Sequence, residues 1–147
     1  MMHMGNVTVR DADSAQMVWR QIRRLMAEPD VVANDHRFMR RIGLTAGPVR
    51  MLRALLSSGP QPMHVLADRL GCDKSYVTGL VRPLLAKSLV TLEPDGSDGR
   101  VKIVSLTAEG RDLARDAQLV YDTPPMVLSA QTPETLERLR ALLDMLQ

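Results

Sequence analysis

Between Met63 and Leu106 the spacing of apolar residues changes character twice, and few folds accommodate that order. Val65, Leu66 and Leu70 share one face of a short helix, which Gly71 can end by supplying a left-handed exit. Asp73 then stands at the capping position of a second helix reaching about Lys87, while Cys72 and Val77 occupy the two positions of a hydrophobic staple. Residues 89–93 and 101–106 follow as β-prone runs, separated by a segment dense in turn formers from Pro94 to Arg100. Two short helices across a tight glycine turn, with a hairpin directly behind them, make a winged helix-turn-helix.

The flanks are helical. Over residues 11–28, Ala15, Val18, Trp19, Ile22, Leu25 and Met26 recur at steps of three and four, with Arg20, Gln21, Arg23 and Arg24 on the other face. Pro29 ends that helix, and residues 30–42 form a shorter one through Val31, Val32, Phe38, Met39 and Ile42. Gly43 breaks the pattern. Thr45 can cap a third helix with Pro48 in its first turn and a core stripe of Val49, Met51, Leu52, Leu55 and Leu56. Thr107 caps a helix to about Tyr121, and Thr132, Pro133 and Glu134 open the last one, where Leu136, Leu139, Leu143 and Leu146 keep the spacing of a helix–helix seam.

The expected fold is mainly α with a small β-hairpin wing: a winged helix-turn-helix plus N- and C-terminal dimerisation helices. The corresponding division is a disordered start at residues 1–10, N-terminal helices at 11–42, the winged domain at 44–106 and C-terminal helices at 107–147.

Composition narrows the function. The 147 residues are 45% apolar, which suits one globular domain. No apolar run approaches the roughly 20 residues that cross a bilayer, and no secretory pattern opens the chain, so the expectation is a cytoplasmic protein without a membrane partner. One cysteine builds neither an internal disulfide nor a Cys-rich zinc site, and His36 and His64 lack a second ligand at metal spacing. No Ser-His-Asp order, phosphate loop or carboxylate pair stands out, so neither an enzyme nor a cofactor is expected. Aromatic residues make up 3%, too few for the stacking platforms of single-strand or RNA recognition. Net charge is only +2, so charge distribution has to carry any case for nucleic acid.

That distribution points to duplex DNA. In the second short helix Val77, Leu80, Val81 and Leu84 share one face, and Ser75, Thr78, Gly79, Arg82 and Ala86 share the opposite one. A small, polar, basic face lets a helix backbone sink into a major groove, with hydroxyls and a guanidinium reaching base edges or phosphates. Lys74 adds a phosphate contact at the helix start. The alternative is a solvated helix face with no such role. On the hairpin, Arg100 and then Lys102 are cations on a thin projection that suits a minor groove, and Asp98 can hold the arginine or its turn. One helix and one wing bury too little surface for operator-grade affinity, which argues for a two-fold dimer held by the terminal helices.

The run from Leu44 to Gly110 resembles the core of the multiple antibiotic resistance regulator (MarR) family. The resemblance rests on Leu44-Thr45, Leu66-Ala67-Asp68-Arg69-Leu70-Gly71, Ser75-Tyr76-Val77-Thr78, Leu89-Val90, Asp98-Gly99-Arg100 and Leu106-Thr107-Ala108-Glu109-Gly110. It implies that Asp98 and Arg100 belong to the family's wing motif, that Ser75 and Thr78 lie on its recognition helix, and that the flanking helices dimerise. It also implies an effector pocket between the dimer helices and the DNA-binding lobe, for which Trp19, Met26, Phe38, Met39, Met51 and Tyr121 are candidates, with plain core as the competing assignment. Three departures stand out: Gly99 where a second basic residue is common, Ser88 where glycine is usual, and Pro83 inside the recognition helix.

The resulting expectation is a ligand-responsive repressor that binds a pseudo-palindromic operator as a homodimer and leaves it on binding a small aromatic or amphipathic effector. The alternatives are a winged-helix protein-interaction module with weak or no DNA binding, and a redox sensor using Cys72, whose thiol lies at a helix start but also fills the staple position.

Overall fold

In the computed structural model, which describes residues 9–147, Pro29 divides the N-terminal apolar pattern into α1 (Val9–Met26) and α2 (Pro29–Ile42). The disorder expected for residues 1–10 falls outside the described residues, except that Val9 and Arg10 already belong to α1. Then follow α3 (Ala46–Ser58), β1 (Gln61–Pro62), α4 (Met63–Leu70), α5 (Lys74–Ala86), β2 (Val90–Pro94), β3 (Lys102–Leu106), α6 (Ala108–Tyr121), α7 (Met126–Ser129) and α8 (Pro133–Asp144). The described residues divide into two compact units, residues 35–123 and residues 9–34 with 124–147.

The larger unit holds the winged helix. Its core is built from Met51, Leu52 and Leu55 of α3, Leu66 of α4, Val77, Val81 and Leu84 of α5, Val104 of β3 and Ala114 of α6, all buried. The sheet has the order β1-β3-β2 and is antiparallel, with Leu92 opposite Val104 and Val90 opposite Leu106. Gln61 and Pro62, which no sequence pattern marks as a strand, pair with Val104 and Ile103 on the other edge of β3. Thr45 stands at the start of α3 as expected, but its side chain makes no capping bond.

The smaller unit joins α1 and the start of α2 to α7 and α8. There the Asp30 carboxylate accepts from the Met126 amide at 2.8 Å and so fixes the entry to α7, a single turn not anticipated from the sequence. This unit carries many exposed apolar side chains, among them Met17, Val18, Trp19 and Met26 on α1 and Leu139, Leu142, Leu143 and Leu146 at the C-terminal end. Among the described residues no helix is long and apolar enough to cross a membrane.

Candidate nucleic-acid interface

Gly71 ends α4 with φ 64 and ψ 36, the left-handed turn that reverses the chain into α5. Asp73 caps α5: its carboxylate accepts from the Ser75 hydroxyl at 2.7 Å and the Tyr76 amide at 2.8 Å. The Ser75 hydroxyl, then the Tyr76 amide, hold this carboxyl below the ordinary value of 3.8. Cys72 is half-buried and packs against the core beside this turn.

Because Val77, Leu80, Val81 and Leu84 are buried, α5 turns Lys74, Ser75, Thr78, Gly79 and Arg82 to the surface. Thr78 donates its hydroxyl hydrogen to the Lys74 carbonyl at 3.1 Å, so its oxygen is still able to accept a hydrogen bond. The Lys74 and Arg82 side chains meet no hydrogen-bond or ion-pair partner among the described residues. Gly79 has no positive φ, and nothing lies within 4 Å of where its Cβ would stand. Neither backbone conformation nor packing therefore calls for glycine there, although it weakens a helix interior.

Tyr76 is the residue of this face that sequence reasoning passed over. It is 55% exposed on the first turn of α5, and its hydroxyl lies 3.6 Å from the place a Cβ on Gly47 would occupy, so the ring reaches toward the start of α3. An aromatic residue directly after Ser75, off the apolar stripe, was the available signal.

The wing tip is closed by the Asp95 amide on the Val101 carbonyl at 2.8 Å. Asp98 accepts from the Arg100 amide at 3.0 Å, and its own carbonyl accepts from the Val101 amide at 3.0 Å. It thus fixes the turn and leaves the Arg100 guanidinium exposed and unpaired among the described residues. Lys102 reaches the Gly99 carbonyl at 3.5 Å. Glu93, Asp95 and Asp98 share the wing with these two cations, so its grip on an anion depends on how far Arg100 projects rather than on net charge.

The effector candidates separate. Phe38, Met39 and Tyr121 line one cavity of about 180 Å³ together with Asp35, Val49, Arg50, Arg53 and Val120. Met51 lies in the core at 0% exposure and does not line this cavity, while Trp19 and Met26 are exposed residues of α1 in the smaller unit. Arg53 stacks on the Tyr121 ring, 3.3 Å from its centroid. Among the described residues no group of three or more His, Cys, Asp or Glu is placed to hold a metal ion.

Comparison with known proteins gives one family match and several structural likenesses. The profile of the MarR family matches residues 42–101, which run from the end of α2 to the wing tip. No curated protein matches the chain by sequence at a significant level. Among solved structures, BldR, a transcriptional regulator of Sulfolobus solfataricus, is similar at 27% identity and TM-score 0.63, covering 91% of this chain and 97% of its own. Reduced MarR of E. coli is similar at 19% identity and TM-score 0.71, covering 86% of this chain and 93% of its own. Overoxidized AbfR, solved bound to DNA, is similar at 21% identity and TM-score 0.55, covering 94% of this chain and 97% of its own. Residues 42–101 accordingly match the MarR family, within a chain that has the fold of solved transcriptional regulators.

Proposed function

We propose that the protein is a sequence-specific, duplex-DNA-binding transcriptional repressor that acts as a homodimer on a pseudo-palindromic operator and is released by a small ligand. The observation that carries this is Gly79. A glycine that the fold does not require, flanked on an exposed helix face by Ser75, Thr78 and Arg82, is what close approach of the α5 backbone to a major groove requires. Arg100 on its Asp98-stiffened turn supplies a contact beside it, and the DNA-bound state of AbfR, a protein of similar fold, supports the same mode of use.

Dimerisation is supported by the exposed apolar side chains of α1 and α8, which a second copy would cover. Ligand response is supported by the cavity at Phe38, Met39 and Tyr121, whose volume suits a small aromatic or amphipathic molecule. Such a molecule releases DNA only through unequal affinity for the binding and non-binding conformations. The test is selection of bound duplexes from a random pool, followed by titration of the winner at several salt concentrations. The expected result is a two-fold-related pair of half-sites about one helical turn apart, with affinity falling steeply as salt rises. Binding that is absent or indifferent to salt would overturn this and favour a protein-interaction module.

A further inference from the structure

We propose that a groove between α3 and α6, which adjoins the apolar cavity and shares Arg50 and Arg53 with it, binds a compact, multiply charged oxyanion such as a phosphate or a dicarboxylate. The groove has a volume of about 360 Å³ and is lined by Arg50, Arg53, Ala54, Ser57 and Gln118. Arg50 and Arg53 stand one helical turn apart on α3, so both guanidinium groups border the same space.

Both forks are held in place, and neither forms an ion pair among the described residues. Arg53 donates through Nε to Gln118 Oε1 at 3.0 Å, and its plane stacks on Tyr121. The Gln118 amide nitrogen is committed to both oxygens of Asp122 at 3.0 Å, so this side chain positions Arg53 and is spent as a donor. Arg50 donates through Nη2 to the Leu70 carbonyl at 3.1 Å, which ties the groove wall to the last residue of α4. The ion pairs among the described residues are Arg115 with Asp112 and Arg140 with Asp144, and neither involves this groove. Asp35 lines the apolar cavity together with both arginines, but it is not part of the groove lining and forms no ion pair with either.

A half-buried guanidinium without a partner carboxylate is unusual, because its desolvation is normally offset by an opposite charge. Arg53 is in that position, Arg50 adds an exposed second fork beside it, and with most of their N–H donors unspent the two match the planar or tetrahedral oxygens of an oxyanion. The two guanidinium groups favour an anionic ligand over an uncharged one.

The test is calorimetric titration of the full chain, without DNA, with inorganic phosphate and separately with succinate, against chloride at matched ionic strength. Binding of at least one oxyanion is expected, weakened about tenfold or more in Arg53→Gln and in Arg50→Gln. Arg53→Lys keeps the charge but loses the fork and should bind at an intermediate level. Arg50 is exposed, so its variant keeps the test open if Arg53→Gln fails to fold. Heats indistinguishable from chloride, equal affinity in all three variants, or displacement of phosphate from the wild type by a non-specific duplex would overturn the proposal. The last result would assign the groove to the DNA backbone. Because the readout contains no operator, failure of the DNA-binding function would leave it untouched.

Discussion

Gly110 lies so close under the Leu89 carbonyl that a Cβ on it would overlap the oxygen. The first turn of α6 is thereby pressed against the segment leaving α5, and Thr107 fastens the junction by donating its amide to the Leu89 carbonyl and its hydroxyl to the Ser88 carbonyl. The partner atom is backbone and cannot rotate aside. Gly110→Ala should therefore force the two elements apart and cost about 3 kcal/mol, the upper range for overpacking. Equilibrium urea unfolding checks this, and a change within error of zero would mean that the junction yields.

Ser88 has φ 55, the one positive value among the described non-glycine residues. It ends α5 in the geometry where Leu89 donates back to the Leu84 carbonyl at 2.9 Å, a turn that suits glycine. The left-handed backbone is adopted here rather than avoided, and its strain is retained. Ser88→Gly should raise stability by about 0.5 to 1 kcal/mol, since relief of Cβ strain outweighs the greater flexibility of the unfolded chain. Thr107 bonds to the Ser88 carbonyl and not to its side chain, so that contact survives the substitution. A fall in melting temperature would contradict the assignment of strain.

The features legible in the sequence are those decided within a few residues. The α4 boundaries follow from Gly71 and the preceding period, and the Asp73 and Thr107 caps form their expected bonds to backbone amides three residues on. Within α4 the buried face is shifted: Met63, Leu66 and Ala67 are buried while Val65 and Leu70 are only half-buried, because α4 packs on more than one neighbour. β1 was illegible because two residues carry no period, and their pairing is determined by β3, some forty positions away. The Phe38–Met39–Tyr121 cavity joins elements far apart in the chain, so size and softness alone could not separate its lining from Met51, which fills the core.

The Asp73 cap has a pH signature. Its folded carboxyl lies below 3.8, so the group contributes stability that is fully present above 3.8 and lost as pH falls through the lower folded-state value. Asn caps a helix comparably but carries no titrating group. The acid limb of the wild-type stability curve should therefore be steeper than that of Asp73→Asn, and any advantage of the wild type at neutral pH should shrink as acid is added. Thermal melts at a series of pH values measure this directly, and parallel curves down to the acid transition would refute a titrating cap.

Gly79 separates what the fold needs from what the surface does. Its Cβ position is open, its backbone is helical and its neighbours Thr78 and Leu80 continue α5 without interruption. Gly79→Ala should stabilise the free protein by about 1 kcal/mol through helix propensity alone. If α5 lies in a major groove, the same methyl holds the helix off the bases and weakens operator binding roughly tenfold, equivalent to about 1.4 kcal/mol. Opposite signs in the two measurements, made by urea unfolding and by fluorescence anisotropy on one preparation, are the expected outcome. A variant both more stable and undiminished in duplex affinity would mean that this face of α5 does not approach DNA closely, and the proposed binding mode would have to be abandoned.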